Sequence, residues 1–397
     1  MWQDWLFEFL KGFGKLFLHP LFYVSFLLAA YLGVSRVKME RKEFTIRAKN
    51  AFYELRQLLP MGIIIGLCMS ILSIGLVLVV PMELIIYTGV FTILLGLLGK
   101  TRLLSPAYTL GLGLLATMAS LYMGWDFFLF SKGAIGEGTY IFPTAVAVLG
   151  LLLAAEGLLM EKNGSKGTSP RLKKSSRGQS IGIHLSERVW LVPMFLFLPN
   201  GILSIPIEGW PAFTVGNETY SFIFVPFLLG FRQAVQGMHP TPAIKAVGRK
   251  VFLLGIFIAL SAAAAYFIPL AAIGSILVAI ICREWITASQ KAKEKNKAFY
   301  FTKKNNGIMI LGVVPESPAD KMDLKVGEVI TKVNSISVHD EIQLYRALQK
   351  NSAHCKIEVL DINGEVRFAQ RALYEGDYHK LGILMIQDDK ARDDEAV

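Results

Sequence analysis

The sequence predicts a polytopic α-helical membrane bundle of about eight or nine spans followed by a small α+β domain. Three observations carry that prediction. Of 397 residues, 53% are hydrophobic and 18% charged, whereas about a quarter of a soluble protein's residues are charged, so a bilayer is the natural solvent. The apolar residues fall in runs close to the roughly 20 residues that cross a hydrocarbon core. From Phe299 onward those runs give way to short strands with turn signals, the texture of a small water-soluble domain.

In chain order the candidate spans are 16–34, 61–80, 82–99, 103–123, 141–160, 189–207 and 250–268, with two short ones at 220–235 and 269–282. Pro226 and Pro269 mark where the short ones bend. Lys and Arg concentrate in 35–59, 99–102, 161–188 and 232–249. The connections near 81, 124–140, 208–219 and 269 hold Lys132 as their only basic residue and carry Glu83, Asp126, Glu137, Glu208 and Glu218 instead. Cytoplasmic loops retain Lys and Arg, so the alternation puts the basic segments in the cytoplasm, together with Arg283 and everything after it. Nine crossings place the N-terminus outside. Eight place it inside, with Trp2 to Phe17 as a surface helix and the next run as a re-entrant hairpin. Asp4 and Glu8 near the start, with no small-residue cleavage site beyond, argue against a cleavable signal.

The net charge of +10 divides unevenly: residues 1–282 hold 23 Lys+Arg against 13 Asp+Glu, and residues 283–397 hold 18 of each. The excess therefore belongs to the membrane part, where it sets topology and favours anionic lipids; nucleic acid is not the expected partner. Within this part, 41–59 reads as an amphipathic helix with Phe44, Ala48, Phe52, Leu55 and Leu59 on one face and a basic face opposite. Residues 161–188, rich in Ser, Gly and Lys, read as a flexible loop. Residues 283–298 read as a linker, 299–388 as the soluble domain and 389–397 as a charged tail. The many Gly and Ala positions in the spans permit close helix packing or self-association.

In the soluble domain, Gly307 to Val314 reads as a strand. Ser317 caps a short helix that starts at Pro318, and Gly327 turns the chain into a strand reaching Val333. Asp340 to Lys350 is amphipathic, with Ile342, Tyr345 and Leu348 on one side and Leu344 beside them. Lys356 to Leu360 and Glu365 to Ala369 form a hairpin across Asn363-Gly364, a pair that accepts positive φ. Leu381 to Ile386 is the last strand. The segment GIMILGVVPESPADKMDLKVGEVITKVN resembles the bacterial PDZ signature, with one departure: Asp323 stands where that family has Gly. PDZ domains add an extended peptide beside a sheet edge and hold its carboxylate in a loop of backbone amides. The resemblance implies that Leu381-Gly382-Ile383 is that loop and that Leu344 and Leu348 line the groove. Read from the residues alone, Gly382 equally starts a core strand, with both leucines in the core.

Catalysis finds no residues in the sequence. The six His residues never fall in the HExxH spacing that puts two imidazoles on one metal, and no Gly-flanked Ser elbow, GxGxxG or Walker-type loop occurs. Cys68, Cys282 and Cys355 are unpaired in spacing, so neither a disulfide framework nor a metal cluster is expected. Glu83 and Glu156 read as span-boundary residues, as do His19 and His239. Gly111-Leu112-Gly113 reads as a helix-packing site. No cofactor and no metal follow.

Several spans followed by one C-terminal PDZ-like domain without protease motifs is a layout that resembles the MinJ family of cell-division proteins. That resemblance implies an adaptor at poles and septa that bridges a DivIVA-type scaffold to a MinD-type ATPase, restrains division-ring assembly and contacts other divisome membrane proteins. Two other readings compete: a non-catalytic PDZ partner of a membrane protease, and a transporter with a PDZ control domain.

Overall fold

The computed structural model describes residues 2–44, 46–123, 141–175, 178–204, 219–350, 354–372 and 381–386. The first half is mainly helical. Its elements are α1 (Trp2–Leu18), α2 (Pro20–Phe44), α3 (Tyr53–Leu58), α4 (Pro60–Leu76), α5 (Met82–Leu97), a 3₁₀ turn (Thr101–Leu104), α6 (Pro106–Met123) and α7 (Ile141–Leu159), which loosens into a π turn (Met160–Gly164). After three strands follow α8 (Pro240–Phe267) and α9 (Leu270–Asn296). Pro20, Pro60, Pro106 and Pro240 each open a helix, where the missing N–H costs nothing and φ is already helical. Among the described residues, five helical stretches are long and apolar enough to cross a membrane, namely Pro20–Phe44, Tyr53–Leu76, Phe142–Gly164, Pro240–Phe267 and Leu270–Asn296; Met82–Leu97 is shorter.

The runs 189–207 and 220–235, expected as spans, are strands over their described residues. β1 (Ser169–Lys174), β2 (Ser180–Ser204) and β3 (Thr219–Val235) form one antiparallel sheet in that order. β2 and β3 pair from His184↔Val235 to Pro199↔Tyr220, with Pro193 opposite Pro226. Both faces of this hairpin are covered. Trp190, Val192, Met194, Leu196, Ile223, Val225, Phe227 and Leu229 face the core built on α7 and α8. Val189, Leu191 and Leu228 pack with α2, and Phe195 and Phe224 with Leu16 of α1. A strand buried on both faces is a continuous apolar run, indistinguishable by hydropathy from a helix of the same length. These two runs are therefore not helical spans, and the described residues leave eight or nine spans unconfirmed.

The outer edge of β2 is closed by backbone and small side chains. A Cβ on Gly62 would run into the Leu191 carbonyl, and one on Gly66 into that of Pro193, so α4 lies directly against the strand. Pro193 has no N–H to satisfy on this edge. The Phe195 N–H donates to Ser70 Oγ at 3.0 Å, Phe197 N–H donates to Leu78 O at 3.1 Å, and Val80 N–H donates to Phe197 O at 2.9 Å. On the far side of the hairpin, α7 and α8 mesh through glycines: added carbons on Gly150 and Gly157 would strike the backbones of Ala259 and Phe252, and those on Gly248 and Gly255 would strike the α7 backbone in return. Gly113 of the expected packing site lies against Thr88 of α5 in the same way.

Four further expectations change. The amphipathic helix at 41–59 is broken. α2 ends at Phe44, the Ala48 and Lys49 N–H groups donate to Glu40 Oε2, and α3 begins at Tyr53. The segment 161–188 holds the π turn, β1 and the start of β2 in place of a flexible loop, and 283–296 continue α9 as helix. Glu156 is fully buried, and its Oε1 accepts from Arg283 Nη2 at 2.7 Å and Nε at 3.2 Å.

The C-terminal domain comprises β4 (Ile308–Met309), β5 (Gly312–Val313), α10 (Pro318–Lys321), β6 (Val329–Val333), β7 (Ile336–Ser337), α11 (Glu341–Gln349), β8 (His354–Leu360), β9 (Val366–Ala372) and β10 (Ile383–Leu384). One sheet runs β4-β6-β8-β9 with β7 on β6, and β10 pairs with β5. The charged tail at 389–397 lies outside the described residues.

Two substitutions test the closed edge of β2. Gly66→Leu drives a side chain into the Pro193 carbonyl and is expected to lower stability by roughly 1–3 kcal/mol. Gly75→Ala, whose added carbon meets nothing within 4 Å, is expected to match the parent. Thermal unfolding of the purified full chain in detergent reads both; equal melting of the two variants would sink the edge assignment.

Candidate functional site

The domain is assembled by caps and turns. Ser317 Oγ accepts from the Asp320 N–H at 3.3 Å and Asp340 Oδ1 from the Gln343 N–H at 2.7 Å, starting α10 and α11. Gly327 turns the chain at φ +92° into β6. Glu328 is buried, takes the Lys325 N–H at 2.9 Å and grips Arg367 Nη2 with both oxygens at 2.7 and 2.8 Å. Asp323 holds φ +56°, a left-handed conformation that suits glycine, and its carbonyl accepts from Arg367 Nη2 at 2.8 Å. The expected strand 307–314 is split between β4 and β5. The turn after β8 is a five-residue loop: Asp361 Oδ1 accepts the Asn363 and Glu365 N–H groups, and Gly364, not Asn363, takes positive φ. Ile342 points outward at 60% exposed, because α11 buries Leu344, Ala347 and Leu348.

The structure brings the five expected groove residues together. Gly382 has φ +80°, and a Cβ there would overlap the Ser317 side chain. Its carbonyl accepts from the Val314 N–H at 2.8 Å, that of Leu381 from Ala319 at 3.0 Å, and that of Leu384 from Leu311 at 2.8 Å. Leu344, Leu348, Leu381 and Ile383 all lie in one buried cluster, the core of the domain. Residues 373–380, which lead into this loop, lie outside the described residues.

A second feature has no local signal in the sequence: the domain is docked on the membrane half. Phe301 is fully buried and clusters with Phe44, Ala48, Met309, Leu311 and Leu384, flanked by Leu172 and Ile386. The Gly182 N–H donates to Phe301 O at 3.0 Å, extending the β2 register into the junction. Glu294 near the end of α9 accepts the N–H groups of Gln236 and Gly237 at 2.9 and 2.8 Å. Behind the junction lies a buried charge network. Arg36 donates to Glu40 Oε1 and to Glu54 Oε1, both at 2.8 Å, and to Thr168 O at 3.2 Å; Ser169 Oγ donates to Glu40 Oε1 at 2.7 Å, and Arg188 donates to the Tyr53 hydroxyl at 3.2 Å. Only the Arg36–Glu40 spacing of four residues is a local signal; the other partners are distant in sequence.

His184 sits at this junction, in the basic stretch before the apolar run of β2. Its Nδ1 meets Thr168 Oγ1 at 2.8 Å and its ring lies 4.7 Å from that of Phe301. Burial, reinforced by His239, pushes its pKa down to about 3. Cys355 is buried in the domain core with its thiol pushed up to about 12, so it is neutral at pH 7 and a poor nucleophile. Among the described residues, no group of three or more His, Cys, Asp or Glu could hold a metal ion.

Residues 309–361 match a PDZ domain family. Over 397 residues the chain is 37% identical to the cell division topological determinant MinJ of Bacillus subtilis (strain 168), covering 99% of this chain and 98% of that protein. It is 23% identical over 388 residues to the probable cell division topological determinant MinJ of Lacticaseibacillus paracasei, covering 93% of this chain and 96% of that one.

Two outcomes are expected. Asp323→Gly relieves left-handed strain and should raise stability by about 0.5–1 kcal/mol, read as a higher melting temperature of the full chain. His184 is neutral in the fold, so its contribution is fully present above its ordinary pKa of 6.5 and is lost as pH falls from there toward 3, by about 1.4 kcal/mol per unit. Protease cleavage near residues 297–300 should rise between pH 7 and 5 in the parent and stay flat in His184→Leu. Identical pH profiles would refute the junction's dependence on the neutral ring.

Proposed function

We propose a cellular role from one premise: the chain belongs to the MinJ family of cell division topological determinants. It works as a membrane-tethered adaptor for division-site placement, bridging a DivIVA-type polar scaffold to a MinD-type ATPase and restraining division-ring assembly at poles and finished septa. The observation that carries this reading is the 37% identity to the Bacillus subtilis protein over nearly the full length of both chains. The basic residues support the cytoplasmic side for the PDZ domain: Arg36, Arg102, Lys173 and Arg188 lie at the end of the bundle on which that domain docks, and basic ends face the cytoplasm.

Leu381-Gly382-Ile383, with Leu344 and Leu348 opposite, is the strand we assign to an extended segment or C-terminus of a partner, added beside β10. Other divisome membrane proteins and a second copy of the chain fit the same role through the bundle.

A fluorescent fusion in a rod-shaped Gram-positive cell is expected to concentrate at septa and poles; a uniform membrane signal would overturn the division role. Gly382→Val, strained at φ +80° and forced against Ser317, is expected to keep membrane insertion while losing capture of scaffold and ATPase in a two-hybrid assay. Undiminished capture would exclude the β10 strand and leave the adaptor role to another surface.

A further inference from the structure

α1 (Trp2–Leu18) does not enter the adaptor role, and it stands at the end of the bundle away from the PDZ domain. Leu16 is buried with Phe195 and Phe224, beside Ile74 near the end of α4. Phe9 stacks on Phe195 and Phe13 on Phe224, with ring centroids 4.8 and 5.8 Å apart. The register that sets Phe195 opposite Phe224 sets Glu187 opposite Arg232 eight residues nearer the basic end, about 26 Å along a strand. α2, which follows α1, covers about 27 Å between Pro20 and Lys38 at the rise of a helix. Both spacings approach the roughly 30 Å of a hydrocarbon core, so α1 lies in the leaflet remote from the basic end.

Three rows of side chains divide α1. Glu8, Gly12 and Leu16, one turn apart, are buried, and a Cβ on Gly12 would stand 3.1 Å from the Phe222 carbonyl oxygen, so this row faces the hairpin. Leu6, Phe9, Leu10, Phe13 and Phe17 form an exposed apolar flank. Lys11 and Lys15 occupy the other flank, about 180° away at 3.6 residues per turn, where Lys11 pairs with Glu8 at 3.2 Å.

The hairpin shows which flank is turned into the bilayer. Gly12 meets Phe222, whereas Phe9 and Phe13 of the apolar flank reach Phe195 and Phe224, two residues nearer the basic end. The apolar flank therefore points toward the membrane interior and the lysines away from it. It is also continuous with the exposed row of a helix apolar enough to span: Phe17 meets Phe22 edge-on at 5.2 Å, and Tyr23, Leu27 and Tyr31 follow along α2. A helix with Phe and Leu on one face and Lys on the other lies in the plane of the headgroup boundary, its apolar face about 5–10 Å deep.

We propose that α1 is an interfacial helix of the extracytoplasmic leaflet, with Leu6, Leu10 and Phe17 among the acyl chains and Lys11 and Lys15 at lipid phosphates. The choice of leaflet rests on the cytoplasmic assignment of the basic end; the lipid contact does not. Cysteine substitutions in the full chain at three exposed positions, read with a membrane-impermeant maleimide over the parent's background, test both parts. Lys11→Cys is expected to label in intact cells as strongly as after permeabilisation, and Lys38→Cys only after permeabilisation. Leu10→Cys is expected to label about tenfold less than its neighbour Lys11→Cys, because position 10 lies among acyl chains. Labelling of Lys38→Cys in intact cells overturns the leaflet through the cytoplasmic assignment. Protection of Lys11→Cys while Lys38→Cys is also protected overturns the placement of α1 itself, and equal labelling of Leu10→Cys and Lys11→Cys overturns the lipid contact. In vesicles of phosphatidylglycerol and phosphatidylcholine, the purified chain carrying Leu10→p-benzoylphenylalanine is expected to gain the mass of one phospholipid on irradiation. A crosslinked dimer in place of that adduct gives the apolar flank to a second copy and overturns the lipid contact.

Discussion

An unpaired backbone amide or carbonyl inside an apolar bundle costs several kcal/mol, and the β2–β3 hairpin places a row of them there. The arrangement of the helical half follows from meeting that requirement. α4 closes on β2 through Gly62 and Gly66 because only glycine lets a helix backbone reach strand carbonyls. Ser70, one turn further, supplies the acceptor for Phe195, and the chain after α4 runs beside β2 so that Leu78 and Val80 complete the edge at Phe197. Pro193 needs no donor partner on that edge, which is why proline is tolerated inside the strand. Thr101 Oγ1 reaches the Phe231 carbonyl on β3 at 3.3 Å. The helices are thus positioned by the hydrogen bonds of a strand pair as much as by their own apolar faces.

The same strand carries the constraint into the junction. β2 continues without a break from the apolar core to Gly182, whose N–H holds Phe301. The charge network of Arg36, Glu40 and Glu54 fixes α2 and α3 against β1. Removing one member would leave a buried charge uncompensated, a loss of about 3–5 kcal/mol, whereas the intact pair adds little net stability. The network is better understood as a device for geometry: Glu40 folds the chain back through Ala48 and Lys49, and that reversal places Ala48 against the PDZ domain.

The sequence made legible the apolar runs, the basic loops, the cap at Ser317, the turn at Gly327 and the order of the PDZ elements, since each is a local pattern with a local physical cause. The odd residue at position 323 was legible too, and its left-handed φ follows from the turn glycine usually makes. The hairpin was not legible, because a doubly buried strand and a helical span share the same hydropathy. The docked junction was hidden for another reason. Phe301 has no periodic partner in sequence, and its neighbours come from α2, β1, β2, β4 and β10. The place of Leu344 and Leu348 in the core beside Leu381 and Ile383 was not legible, because either face of the helix pattern allowed it.

That shared cluster bears on the site proposed beside β10. Leu384 of β10 belongs to the junction, where it clusters with Phe44 and Phe301, and Ile383 belongs to the domain core together with Leu344 and Leu348 of α11. Burying a Leu side chain is worth roughly 1.5–3 kcal/mol, so the two leucines hold α11 to the core, and a partner of the proposed kind would draw its affinity from main-chain hydrogen bonds beside β10 more than from those side chains. Such a contact is weak on its own, and an effective concentration in the millimolar range, as between partners held on one membrane, offsets that weakness. In the proposed adaptor the bundle therefore does more than anchor the PDZ domain: it supplies the concentration that a main-chain contact needs.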